Sequence, residues 1–563
     1  MTAGDGRVPG LPGLLRRRLA NTLRPPVRIT PPPPGVVADW DVPVAVRDDT
    51  VLRLNVFRPA GGDPVPALMS AHLYGKDRLP ARTRSGRGVD PRYRLFPHPA
   101  PVIVSAWTSW EAPDPAFWVP RGYAVVNADL RGAGTSDGIA EPFSDAEARD
   151  YHDLVEWVGT QPWCTGRVGL DGVSYLAISQ YKVAATHPPH LAAICPWEGL
   201  ADVYRDFARP GGVPEDRFTA LWSRTTRRTA RVRGDVRQEI VARPEDDAWY
   251  ASLAAPLEDI QVPALICGSF SDHSMQTRGA FEAFRRVASK DTWLHTHREG
   301  KWSHYYSPVA ARARERFFDH VLKGEDNGWD AEPRVRLAVH EAGAVPVAVV
   351  GEDTWPPADL TWTDLLLDAA AHGLAPGGPD TTSPAAATSV PTHRGTASFT
   401  WTVPEDLDVI GPMALRLHVE VQGVDDVYLF AGVRKLRGGR EVVFEGSFGF
   451  SGDMVSKGWQ RAAHRELDAA RSTPWQPVHT HRRAEPLAPG EIVPVDVELR
   501  PHATRFRAGE QLRLDVQGHW FYSRGPVRGQ FPLGYRRSAK GTLVLHTGAG
   551  RDARLRLGHR PVR

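Results

Sequence analysis

Between Val168 and Gln180 the chain reads VGLDGVSYLAISQ, and this stretch holds a serine in a setting that can make it reactive. A short apolar run, Val168 to Leu170, leads into Asp171-Gly172-Val173-Ser174-Tyr175, and a helix-compatible run follows with Ala177, Ile178 and Tyr181 on one face. Strand, tight turn and helix in that order can hold a serine hydroxyl exposed on a strained elbow, with the next backbone N–H free to bind an oxyanion. Ser174 is therefore the candidate nucleophile. The usual elbow is Gly-x-Ser-x-Gly, and the last position is read here as Ala177 in place of the glycine, small enough to let helix and strand approach.

A free serine hydroxyl is a poor nucleophile at neutral pH, so Ser174 needs a base and an orienting carboxylate. In sheets of this class the acid follows a later strand and the histidine a still later one. The run Pro263 to Cys267 is followed by Gly268-Ser269-Phe270-Ser271-Asp272-His273. Asp272 then lies just past the carboxyl end of a strand, where open α/β sheets place their ligands; its other reading is a cap on a helix beginning near Met275. The run Thr292 to His295 is followed by Gly300-Lys301-Trp302-Ser303-His304. His304 in that loop is free to reach Ser174, whereas His295 and His297 lie in or close to the strand and read as structural. His273 adjoins the proposed acid, which makes a bridging geometry awkward. The oxyanion donors would be the amide of Tyr175 and Tyr74, in HLYGKD after the run Ala67 to Leu73.

These residues have to be positioned by a scaffold, and the hydrophobic pattern describes one. Tyr123 to Ala128 (YAVVNA), Leu191 to Cys195, Pro263 to Cys267 and Thr292 to His295 are short continuous apolar runs, as a sheet buried on both faces requires. Between them Tyr151, Leu154, Val155 and Val158 form one helical stripe ending before Pro162, and Phe281, Phe284 and Val287 mark another helix. Alternating strands and helices give an α/β parallel sheet covered on both sides. From about Asp202 to Leu257 the alternation stops, and helical composition with a basic run, Arg224 to Arg237, suggests an inserted cap with a solvated arginine face. Beyond about residue 335 strict alternation takes over at Met413, Leu415, Leu417, Val419 and Val421, again at Val495, Val497 and Leu499, and at Leu512, Leu514 and Val516. That pattern predicts antiparallel strands with one wet face, a β-sandwich, with the Ala/Pro/Gly/Thr-rich stretch 369–394 as a long surface loop.

At 563 residues two or three domains are expected, and 41% hydrophobic with 24% charged residues fits a globular chain. The net charge is +3, but residues 1–34 alone carry six arginines against Asp5, so the basic excess belongs to the tail and no nucleic-acid-binding face follows for the body. No run resembles a secretory signal or a membrane span, which points to a cytoplasmic protein with no membrane partner. Cys164, Cys195 and Cys267 are too few and too scattered for a disulfide framework or a zinc site. Gly132-Ala133-Gly134 follows a strand but lacks the spacing of a dinucleotide site.

With these motifs in hand the chain resembles the CocE/NonD hydrolases, the group that includes bacterial cocaine esterase, α-amino-acid ester hydrolases and Xaa-Pro dipeptidyl-peptidases. The resemblance is carried by RGYAVVNADLRGAGTSDG (121–138), EWVGTQPWCTGRVGLDGVSY (156–175), PWEGLADVYRDFARPGG (196–212), GKWSH (300–304) and GWQRAAHRELDAARSTPWQP (458–477). It implies Ser174 as nucleophile, Asp272 and His304 completing a triad, Tyr74 and the Tyr175 amide as the oxyanion hole, and no metal or organic cofactor. It also implies an α/β-hydrolase domain over 36–201 and 258–335, a helical cap over 202–257, and a C-terminal jelly-roll over 336–563; residues 1–35, which end in the four prolines Pro31 to Pro34, read from their composition as a flexible Pro/Arg-rich arm. Trp197, Glu198 and Trp302 lie beside these motifs as candidate substrate contacts. The segment between Tyr74 and Trp110 and the GSFSDH loop depart from the family pattern, which leaves the acyl pocket undefined.

The activity expected is hydrolysis of carboxylic esters through an acyl-enzyme: Ser174 attacks, His304 carries the proton and Asp272 orients the imidazole. Its partner would be a small ester, amide or short peptide, with self-association into a homo-oligomer open. Release of Xaa-Pro dipeptides, or hydrolysis of α-amino-acyl esters and amides, would use the same triad and would need acids for a free amine, for which Glu198, Asp202 and Asp206 are candidates. A remote alternative is a non-catalytic carbohydrate-binding protein.

Overall fold

The computed structural model describes residues 11–563 except 82–87, 379–380, 382, 447, 449–451, 523–529 and 531–532. The buried apolar runs become one sheet, whose strands in chain order are β1 (Val36–Ala45), β2 (Val51–Pro59), β3 (Val65–His72), β4 (Ala124–Asp129), β5 (Cys164–Val173), β6 (Leu191–Trp197), β7 (Ala264–Ser269), β8 (Thr292–His297), β9 (Val335–His340) and β10 (Pro346–Glu352). Their spatial order is 1-2-4-3-5-6-7-8-9-10. Pairing is antiparallel for β1–β2, β2–β4 and β9–β10 and parallel in between. Strands β4, β7 and β8 are buried at every residue, because helices cover both faces of the parallel part.

The helices that matter here are α1 (Asp145–Gly159), α2 (Tyr175–Ala184), α3 (Thr277–Arg286), α4 (Lys301–Tyr305) and α5 (Pro308–Phe318). Helix α1 starts where the Ser144 hydroxyl accepts the Glu147 N–H at 3.2 Å, and it buries Tyr151, Leu154, Val155 and Val158 on the expected stripe. The three cysteines are buried free thiols. The segment 202–257 carries the helices Phe218–Thr226, Val236–Ala242 and Ala248–Leu253. Its arginines are less idle than a solvated face: Arg227 binds Asp235, Arg237 binds Asp216, and Arg231 holds the carbonyls of Gly138 and Ser136.

From Thr361 on, strands dominate. Leu407–Gln422 runs antiparallel to Val493–Phe506, Thr542–Thr547 and Arg554–Pro561. Gln511–Gln517 lies between Thr396–Thr402 and Tyr428–Arg437. Met413, Leu415, Leu417, Val419 and Val421 are buried and alternate with less buried neighbours, so the period of two read from sequence is the inward face of this β-rich half. Its core is shared by Leu415 and Leu417 with Phe399, Leu512 and Leu514 of the facing strands.

Three expectations change. Within the arm, residues 1–10 lie outside the described residues, but Leu11–Leu23 is a helix and Val27–Thr30 pairs in parallel with Val102–Ser105, so this part is ordered by tertiary contact. Strands β9 and β10 extend the α/β sheet past residue 335, since β9 finds its parallel partner in β8. The stretch 369–394 contains the strands Gly373–Gly377 and Ala386–Pro391, each hydrogen-bonded to a neighbouring strand.

The two halves meet beside the site. Arg298, fully buried, donates to the carbonyls of Met454 and Val455. Tyr535 donates to the Ser274 carbonyl at 2.6 Å, and His273 Nε2 meets the Pro501 carbonyl at 3.0 Å. The loop after β7 is therefore clamped from the β-rich side.

Candidate active site

Ser174 occupies the turn between β5 and α2 with φ 61° and ψ −118°, a conformation that a non-glycine residue holds only at a cost of about 1–3 kcal/mol. Two main-chain hydrogen bonds fix it, Val173 N–H to the carbonyl of Glu111 in a loop and Ser174 N–H to the Trp197 carbonyl at the end of β6, both 3.1 Å. The strict far-end position of the elbow pattern is Leu176 rather than Ala177. A Cβ on Gly172 would lie 2.6 Å from the Leu176 Cβ, so Gly172 makes the room between strand and helix, while Ala177 faces Gly199. The Ser174 Oγ accepts a hydrogen bond from Gln276 Nε2 at 2.9 Å, which leaves its own proton to be given away.

The two candidate oxyanion donors, the Tyr175 amide and Tyr74, are both near this turn, the two tyrosine rings in contact. The Tyr175 N–H opens a helix and has no acceptor within it. The Tyr175 side chain points away, donating to the buried Glu147 at 2.6 Å, which anchors the start of α2. Tyr74 lies two residues past β3, its ring 5.6 Å from that of Tyr175, and its oxygen accepts from Trp222 Nε1 of the cap at 3.2 Å. Burial, reinforced by the charge of Glu111, raises the Tyr74 phenol well above its ordinary value, so it stays a neutral donor.

The candidate acid Asp272 and the candidate base His304 follow neighbouring strands, β7 and β8, but are not joined. Among the described residues no hydrogen bond or ion pair links Asp272 to His304 or His304 to Ser174. The Asp272 carboxylate accepts from Lys301 Nζ at 2.8 Å, and α3 starts later than the helix expected near Met275, at Thr277 with Gln276 as its N-cap. Lys301 stands one turn before His304 on α4 and is buried. Burial alone would lower its pKa, but Asp272, Glu198 and Glu111 around it raise it, so it is an ammonium. Glu198, at φ 52° directly after β6, approaches it to 3.8 Å. Burial pushes both Glu198 and Glu111 up to about 7, against the pull of Lys301.

His304 Nδ1 lies 3.4 Å from Glu299 Oε1. Its ring stacks on His297, centroids 3.8 Å apart and planes 15° from parallel, and 5.6 Å from the Trp197 ring. The candidate substrate contacts Trp197 and Trp302 are both buried; Trp302 donates to Glu111 at 2.9 Å within a cluster with Phe96 and Trp110. Asp202 and Asp206 are taken up by Arg205, Arg278 and backbone amides, so of the three acids proposed for an amine only Glu198 keeps carboxylate oxygens without a hydrogen bond. Sequence reading missed Gln276, Glu111, Glu299 and Trp222. Gln276 lies three residues past GSFSDH and Glu299 directly precedes GKWSH, whereas nothing in the cap sequence singles out Trp222. Among the described residues no group of three or more His, Cys, Asp or Glu is placed to hold a metal ion, and no helix is long and apolar enough to cross a membrane.

Comparison with known proteins places this geometry. Residues 48–306 match the X-Pro dipeptidyl-peptidase (S15 family) model, and residues 327–556 match that of the X-Pro dipeptidyl-peptidase C-terminal non-catalytic domain. A CocE/NonD family hydrolase from Staphylococcus aureus superimposes with a TM-score of 0.87 at 33% identity, covering 93% of this chain and 94% of that one. The chain belongs to the CocE/NonD family. It is a serine hydrolase, which sets aside a purely carbohydrate-binding role. Cocaine esterase of Rhodococcus sp. (strain MB1 Bresler) is 27% identical over 389 residues, 58% of this chain and 62% of the esterase. An α-amino acid ester hydrolase shares the fold at 15% identity and a TM-score of 0.66, with 93% and 97% of the two chains covered.

Proposed function

We propose that this CocE/NonD hydrolase cleaves carboxylic esters of acyl groups that carry no free amine, through an acyl-enzyme on Ser174. His304 takes the Ser174 proton and returns it to the leaving alcohol, while the Tyr175 amide and the Tyr74 hydroxyl receive the oxyanion. Gln276 holds the serine oxygen so that its proton faces the base. Water then attacks the acyl carbon with His304 as base again, releasing the acid and restoring Ser174.

The observation that carries the ester preference is Lys301. A site for a substrate's α-ammonium needs uncompensated carboxylates, yet two acids that follow β6 and β7 already face a buried ammonium, at 2.8 Å for Asp272 and 3.8 Å for Glu198. A second ammonium there would meet like charge. The competing reading, removal of Xaa-Pro dipeptides, has in its favour the two Glu198 oxygens that accept no hydrogen bond. Assaying aryl esters of simple acids, aminoacyl esters and Xaa-Pro anilides side by side separates the two. The ester reading expects the highest kcat/KM on the simple aryl esters; a preference for the anilides overturns it.

A further inference from the structure

We infer that the carboxylate orienting the histidine is Glu299 rather than Asp272, which serves instead as the counter-ion of Lys301. This rests on the reading of Ser174 and His304 as nucleophile and base. Asp272 is committed: its 2.8 Å contact is to a buried lysine, and turning it toward His304 would take from that ammonium its one directly hydrogen-bonded carboxylate, leaving Glu198 at 3.8 Å and the charge of Glu111. Glu299 is placed to replace it. It leaves β8 two residues after His297, its backbone N–H donates to His297 Nδ1 at 3.2 Å, and its carboxylate comes to 3.4 Å from His304 Nδ1. That contact is longer than a formed hydrogen bond, as catalytic contacts often are before substrate binds. The contact with His304 holds the Glu299 carboxyl below its ordinary pKa.

The arrangement fixes a tautomer. A carboxylate at Nδ1 of His304 keeps the proton there and leaves Nε2 bare for the proton of Ser174. His297 completes the mount. Its Nδ1 accepts from the Glu299 amide, so its own proton sits on Nε2, 3.2 Å from Glu198 Oε1, and burial keeps the ring neutral. The face of His304 thus rests on an uncharged, anchored imidazole, and its edge meets Glu299. The other charged or titratable groups around the pair are Lys301, Asp272 and Glu198, with His295 on β8. Glu299 is a positioning residue: it touches the base, not the substrate.

The test compares three full-length variants on an aryl ester across pH: Glu299→Gln, Glu299→Asp and the charge-neutral pair Asp272→Asn with Lys301→Met, which removes the 2.8 Å ion pair as a unit. Glu299→Gln is expected to lower kcat at least about tenfold with little change in KM. It should also move the acid limb of kcat/KM to lower pH, because an imidazole without its carboxylate loses protons more easily. Glu299→Asp should recover part of the rate. The paired variant should lose less turnover than Glu299→Gln and keep the acid limb in place. A Glu299→Gln enzyme with wild-type kcat and pH profile, beside a folded paired variant that is inactive, overturns the inference. Fluorophosphonate labelling of these variants and of Ser174→Ala is read separately: continued labelling after Ser174→Ala rejects the nucleophile itself, whatever Glu299 does.

Discussion

The nucleophile elbow follows β5 and the acid–histidine corner follows β7 and β8 of the same sheet, and the two are built by opposite means. Ser174 is held by main chain: hydrogen bonds from Val173 and Ser174 N–H to a loop carbonyl and to the end of β6, a helix start after it, and Gly172 where no Cβ fits. The corner is held by side chains. Asp272, Glu198 and Glu111 come from three separate stretches of chain to one ammonium on α4, while the histidine one turn later rests on His297 and Glu299. A backbone device tolerates sequence change around it, whereas a cluster of buried charges depends on every member.

That contrast can be broken at either end. The largest effect is expected from Ser174→Ala, which should cut turnover by about 10⁴-fold or more while the fold persists, checked by ester assay and thermal melting. Lys301→Met attacks the corner: removing one partner of a buried ion cluster should cost about 3–5 kcal/mol of stability, visible as a lowered thermal midpoint. Tyr74→Phe keeps the ring and removes one oxyanion donor, so kcat should fall about 10²-fold to 10³-fold with KM little changed. The smallest effect is pH-linked. Glu111 has a folded pKa of about 7 against an ordinary 4.5, so the native state favours its protonated form. The stability this confers is present below pH 4.5 and is lost as pH rises through 7, on the order of 3 kcal/mol. Glu111→Gln should abolish that loss, seen in thermal midpoints at pH 5 and pH 8; an unchanged difference between the two would remove Glu111 from the cluster's charge balance.

The same contrast explains what could be read without a structure. Strands β4, β6, β7 and β8 and the stripe of α1 announce themselves because a sheet buried on both faces demands continuous apolar runs and a covering helix demands a period of 3.6. Ser174, Asp272 and His304 are legible as candidates because strand ends are where such a sheet presents its side chains. What stayed hidden depends on long-range partners. The helix Leu11–Leu23 lies in a Pro- and Arg-rich tail, and Gly373–Gly377 is a strand only because Thr361–Asp368 runs beside it. Lys301 was in view within GKWSH, but nothing in five residues says that its ammonium meets Asp272, and so the partner assigned to His304 from chain order differs from the one beside it.

The claim on which the rest stands is that Ser174 carries the acyl group. Treating the full-length protein with a fluorophosphonate and mapping the adduct by peptide mass spectrometry tests it directly. The expected result is a single phosphonylated peptide containing Ser174, formed in step with loss of esterase activity and absent from Ser174→Ala. An adduct on another serine, or full activity with Ser174 modified, would contradict it.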